Sequence, residues 1–261
     1  MPKSDFLTAV EELTKKAHFP VTKESDSIGC ESRYFGRPWL EQDREWPLYD
    51  GAPMFFILQL DLAKIPALEG LPQAGLLSFF HAGGWEEDGS NSTVIIQDTT
   101  KPGSLRDMPD GHIELTASVI VGWVQKLDAP RSFILEEFFE NKRASHLEAM
   151  VEDNMSVITG MVLDANGNEV PEVEVLCEGI PYNVHCFESD KLGGHPFWTQ
   201  GDETPVDSTG AKMLMVFQHN YDMGPLLGGL NGAETGNPCY GIGHIWYSPA
   251  TGETYHNWAC D

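Results

Sequence analysis

Basic side chains are scarce in this chain: 16 Lys and Arg stand against 40 Asp and Glu, a formal charge of −24. Such a surface repels phosphate backbones, so nucleic acid is not an expected partner. Long uninterrupted apolar runs are missing, and no basic stretch leads into an apolar one at the N-terminus. Neither a membrane span nor an export signal is read from it, and the expected location is the cytoplasm. Paired-cysteine motifs are missing as well. Cys30, Cys177, Cys186, Cys239 and Cys260 are odd in number, scattered and without a C-x-x-C, which predicts free, packed thiols. No Gly-x-Ser-x-Gly elbow, Walker loop or Gly-x-Gly-x-x-Gly is present, and Gly228 to Gly232 reads as loop. Nothing in these absences marks an enzyme.

What is present is apolar and aromatic. Hydrophobic residues make up 41% of the 261, with seven Trp and thirteen Phe, so a folded chain with a large core is expected. One pattern occurs twice. Phe35-Gly36-Arg37-Pro38-Trp39 precedes Gly51-Ala52-Pro53-Met54 and the run Phe55 to Gln59. Gly193-Gly194-His195-Pro196-Phe197-Trp198 precedes Gly210-Ala211-Lys212-Met213 and the run Leu214 to Gln218. The shared order and spacing point to an internal duplication. A Phe resists positive φ, so the first turn is expected to differ in shape from the second.

Continuous apolar runs of strand length, Met54 to Leu60, Leu76 to Phe80 and Met213 to Phe217, predict central strands buried on both faces. Thr93 to Ile96 and Ile113 to Leu127 are further strand candidates. Two helices are predicted. The first begins at a Ser4 cap, puts Phe6, Val10, Leu13 and Ala17 on one face and stops at Pro20; the second spans Ser132 to Val151. Val157 to Leu163 and Val170 to Leu176, joined through Asn166-Gly167, predict a hairpin. The predicted class is α+β: two similar β-sheet halves, residues 1–152 and 153–261, with a few flanking helices, packed as one compact unit.

The turn and strand motifs of both copies, together with Glu45-Trp46-Pro47, Gly75 to Phe80, Asp222 and Trp246-Tyr247, resemble the YwqG-like family, a bacterial domain-of-unknown-function family. Phe35-Gly36 departs from the family's usual Gly-Gly-x-Pro. The resemblance implies a duplicated fold and no reaction. Some relatives are encoded beside secreted toxins and are interpreted as their immunity proteins, so it also implies a toxin as partner.

Metal ligation is not expected. Asp164, Asn166 and Asn168 begin like a calcium loop, but Glu169 occupies the position that needs Gly. His185-Cys186 and His256 with Cys260 lack zinc spacing. Gln59 and Gln218, each ending an apolar run, are the polar positions of interest. A buried amide must be hydrogen-bonded, so the plain reading is that each pegs its own half together, through backbone such as the preceding turn. The functional alternative gathers Arg37, Trp39, Gln59, His195, Trp198 and Gln218 around a cleft. The expected function is non-enzymatic protein binding, an immunity protein meeting a basic toxin domain, without a cofactor. A small-molecule or peptide-binding module is the alternative, and an enzyme using His195 or His219 a third.

Overall fold

In a computed structural model of the chain, the residues described are 14–25, 29–82, 91–110, 116–128, 161–163, 169–171, 184–185, 187, 189–199, 201–220 and 241–259. Every regular element among them is a strand. The first five are β1 (Lys15–Glu24), β2 (Arg33–Tyr34), β3 (Trp39–Glu41), β4 (Leu48–Tyr49) and β5 (Ala52–Pro53). Next come β6 (Phe55–Asp61), β7 (Leu76–His81), β8 (Ser92–Gln97), β9 (Gly103–Leu105) and β10 (Ser118–Asp128). Then follow β11 (Met161–Leu163), β12 (Glu169–Pro171), β13 (Val184–His185) and β14 (Lys191–Gly193). The last are β15 (Leu214–Asn220), β16 (Ile242–Tyr247) and β17 (Thr254–Ala259).

The α+β expectation is therefore corrected to all-β among the described residues. Lys15 to Pro20, predicted as the end of a helix, belongs to a ten-residue strand. A short helix is marginal by itself, and pairing with β14 and β10 satisfies this backbone instead. Pro20 fits there because its fixed φ suits extended chain at the loss of one donor. Residues 4–13 and the predicted helix at 132–151 lie outside the described residues. β11 and β12 do pair antiparallel, with Val162 opposite Val170, as the hairpin reading required.

The chain divides into two compact units. Unit 1 comprises Met1–Ala17, Gln125–Phe187 and Gly194–Glu203; unit 2 comprises His18–Val124, Glu188–Gly193 and Thr204–Asp261. Unit 2 holds most of one large sheet ordered β17-β16-β15-β14-β1-β10-β2-β6-β7-β8. The two expected sheet halves are thus arms of a single sheet, with β1 and β10 inserted between them. Each arm carries a short strand followed by three of seven, six and six residues, in mirrored order. Arg33 lies opposite Gln59 in one arm, and Lys191 opposite Gln218 in the other. Both arms slip register at the same place, between Phe56 and Leu58 and between Met215 and Phe217.

The turns match as well, against expectation. Phe35 and Gly36 have φ of 55° and 70°, and Gly193 and Gly194 have 66° and 79°. Phe35 accepts a left-handed backbone because its amide donates to Ile57 O at 2.9 Å and its ring is buried beside Tyr34. Burying a phenyl ring is worth about 1.5–3 kcal/mol, enough to offset the roughly 1–3 kcal/mol of such strain. At Gly194 no such compromise exists, since a Cβ would overlap Asp128 Oδ2 and Ala17.

The register slip in β6 and the alternation along β7 send side chains to two cores. Leu58, Leu60, Leu77 and Phe79 join Phe217, Ile245 and Trp258 in the main cluster. Phe56 and Phe80 pack on the other face with Leu40 and Met54. The edge strands β8 and β17 also meet: Thr254 Oγ1 donates to Val94 O at 2.7 Å, and His256 Nδ1 lies 3.1 Å from Ser92 Oγ.

Candidate functional site

Both glutamines of the repeat are fully buried. Gln59 Oε1 accepts from Trp39 N at 3.1 Å, and its Nε2 donates to Glu31 O at 3.1 Å. Gln218 Nε2 donates to Ser189 O at 3.1 Å. Each amide therefore ties its long strand back to the segment that enters the short one. Opposite Gln59, the buried Arg33 guanidinium donates to Gly29 O at 2.7 Å, to Glu31 O at 3.1 Å and to Arg37 O. Burial lowers its pKa to about 10. These groups are occupied in holding the turn that presents Arg37 and Trp39.

Trp39 is buried on β3 and pairs with Leu105 of β9; its ring lies where a Cβ on Gly103 would be. Arg37 is 39% exposed and bridges to Asp107 at 3.0 Å. The structure thus brings Trp39 and Gln59 into direct contact and leaves Arg37 facing solvent beside them. His195 and Trp198 belong to unit 1, where both are buried. His195 N donates to Asp128 Oδ2 at 2.7 Å, and Asp128 Oδ1 accepts from Phe187 N at 3.1 Å. Asp128 serves that turn by accepting backbone donors, much as Gln59 does at the first turn.

Two buried clusters escaped sequence reasoning. Tyr34 OH donates to Asp190 Oδ2 at 2.6 Å while Asn220 N donates to Oδ1 at 2.8 Å. Desolvation nevertheless raises the Asp190 pKa to about 7. Tyr34 and Asp190 are 156 positions apart, and no local pattern announces their meeting.

The second cluster is a set of buried histidines around Phe79. His219 and His256 have ring centroids 5.2 Å apart, planes within 10° and Nε2 atoms 3.0 Å apart. That centroid distance is what two near-coplanar rings meeting nitrogen to nitrogen require, so one Nε2–H donates to the other's lone pair. Among the described residues, no group of three or more His, Cys, Asp or Glu could hold a metal ion. Burial, reinforced by neighbouring imidazoles, pushes the pKa values of His219 and His256 well below 6.5, and burial lowers His81 to about 4. Gly243 is required here because a Cβ would overlap the His219 ring.

On the outside of unit 2, a cleft of about 660 Å³ opens beside β3, lined by Glu41, Asp43, Glu45, Trp46, Leu48 and Lys101 among others. Glu41 is buried: its Oε1 accepts from Asp98 N at 2.9 Å, and Lys101 Nζ lies 3.4 Å from its Oε2. The Trp46 indole donates to Met54 O at 2.8 Å and meets Phe80 edge-on at 5.5 Å. Leu48 is 57% exposed. Trp46 entered the sequence reading within Glu45-Trp46-Pro47; in the fold it is half-buried at this cleft.

The sequence model of one family, described as "Domain of unknown function (DUF1963)", matches residues 32–165, just over half of the chain. The chain belongs to that family. In this DUF1963 chain the match takes in the first arm, β2 and β6 to β8, together with β3, β9 and the cleft. The second arm, β14 to β17, lies beyond the matched residues. No curated protein matches the chain.

Proposed function

We propose that this protein acts by binding a protein partner rather than by catalysis, as an immunity protein that occludes a basic toxin domain. One observation carries the reading. Val21, Val121 and Val124 are 42%, 60% and 48% exposed on β1 and β10, strands that neighbour each other within the sheet. Val121 and Val124, three positions apart on β10, face opposite sides of the strand, and each exposed aliphatic side chain gains burial from a partner that covers its side. The polar groups of the repeated motif supply the complementary argument, since Gln59, Gln218, Arg33 and Asp190 are spent on the fold. The charge of −24 would speed encounter with a basic partner.

The test is direct binding to a toxin domain encoded next to this chain, by biolayer interferometry across a salt series. Association should slow as salt rises, and Val121→Glu or Val124→Glu should raise Kd at least about tenfold, roughly 1.4 kcal/mol. Unchanged affinity in both variants, with a salt-independent association rate, would sink the proposal. A second reading, a pocket for a small ligand, is favoured only by the volume of the cleft beside β3.

A further inference from the structure

We propose that the cleft beside β3 receives one arginine or lysine side chain of a protein partner; this rests on the protein-binding reading above and names an anchor for it. The cleft has the two features such a side chain needs. Its apolar part is Trp46, Pro47, Leu48 and Ile95, on which an aliphatic stem can lie. Its polar part holds three carboxylates, Glu41, Asp43 and Glu45, against two cations, Arg44 and Lys101. Lys101 is already engaged by Glu41 at 3.4 Å. Asp43 and Glu45, both exposed, are left to face an incoming positive charge, with Arg44 as the only other cation among the lining residues.

Trp46 is suited to the role. Its indole N–H is fixed on Met54 O and its ring meets Phe80 in a T-shaped contact, so it cannot swing away when a guanidinium approaches. A cation over an indole face is attracted by the ring's quadrupole, the more strongly as it is desolvated. Leu48, 57% exposed at the same cleft, would be covered by the residues flanking the anchor. The chain's charge of −24 selects a cationic side chain over an acidic one.

The experiment uses the full chain and the capped tripeptide acetyl-Gly-Arg-Gly-amide in about 0.15 M salt, where unspecific attraction to an acidic surface is screened. The reporter is the Trp46 indole N–H in a 1H–15N spectrum, assigned by Trp46→Phe. Saturable shifts with a Kd on the order of millimolar are expected. The capped Gly-Ala-Gly peptide should give none, and Asp43→Asn with Glu45→Gln should weaken the Arg peptide at least fivefold. Both substituted residues are exposed and isosterically replaced, so a loss of folding is not the expected outcome. An absent shift, or undiminished binding by the double variant, overturns the proposal. So does binding of free agmatine without binding of the capped peptide, which would assign the cleft to a small molecule. Toxin binding sensitive to the Val121 and Val124 substitutions would survive any of these failures, which keeps the two proposals separable.

Discussion

Acidification should unfold this protein far more steeply than its acidic composition would suggest, because three buried histidines are held neutral. His81, His219 and His256 are at most 2% exposed, and all three have pKa values below the ordinary 6.5. A histidine whose folded pKa is depressed contributes stability that is complete above its unfolded pKa and is lost as pH falls below it. The unfolded chain then binds protons that the folded one refuses, at about 1.4 kcal/mol per pH unit per group. Asp190 works the other way. Its pKa of about 7 lies above the unfolded value of 3.8, so between these limits the folded state keeps a proton that the unfolded state releases. With three histidines opposing one aspartate, stability should drop by as much as about 2 kcal/mol from pH 6.5 to 5.5, with further loss toward pH 4.5. That is a large part of a typical domain's stability of about 5–15 kcal/mol. Urea unfolding followed by tryptophan fluorescence at half-unit steps from pH 7.5 to 4.5 measures it. His81→Asn should reduce the slope by about one proton. A stability that is flat or rises between pH 6.5 and 5.5 would refute the reasoning, since the imidazoles would then be charged or solvated inside the fold.

Two further outcomes follow from the buried hydrogen bonds. Gln59→Leu leaves Trp39 N and Glu31 O without their partner, and Gln218→Leu does the same to Ser189 O. Each should cost about 1–3 kcal/mol by urea titration; a neutral Gln59→Leu would show that these amides do not hold the turns. Tyr34→Phe removes the hydroxyl donor to Asp190, and its cost should be greater at pH 8.5, where the carboxylate is ionised, than at pH 5.5. Equal costs at the two pH values would mean that Asp190 does not titrate between them.

The repeated Gly-x-Pro turns and apolar runs were legible because each is a local constraint. A seven-residue apolar stretch is buried on both faces wherever it is placed, and an amide at its end must find a partner. Phe35 shows the limit of such reading. Its type argues against positive φ, yet burial of its ring and the bond to Ile57 O overrule that preference. Lys15 to Glu24 shows another limit, because a helical pattern around Ala17 gave way to pairing with strands more than 90 positions distant. The functional candidates divide the same way. Gln59 and Gln218 stood out in the chain, whereas Tyr34 with Asp190 and the histidines around Phe79 are joined only across the sheet, and the cleft at Trp46 adds Thr93, Ile95 and Lys101 to a segment that is continuous in sequence.

From its residues alone, then, this chain specifies acidity, two copies of a turn-and-strand motif and the strands that must be buried, since each depends on neighbours a few positions apart. Tertiary structure decided that both copies share one sheet, that β8 and β17 meet at its ends, and that buried histidines and one aspartate lie face to face with their partners. Those outcomes depend on contacts between residues far apart in sequence, whose register is set by packing and hydrogen bonding of the whole sheet rather than by any local preference.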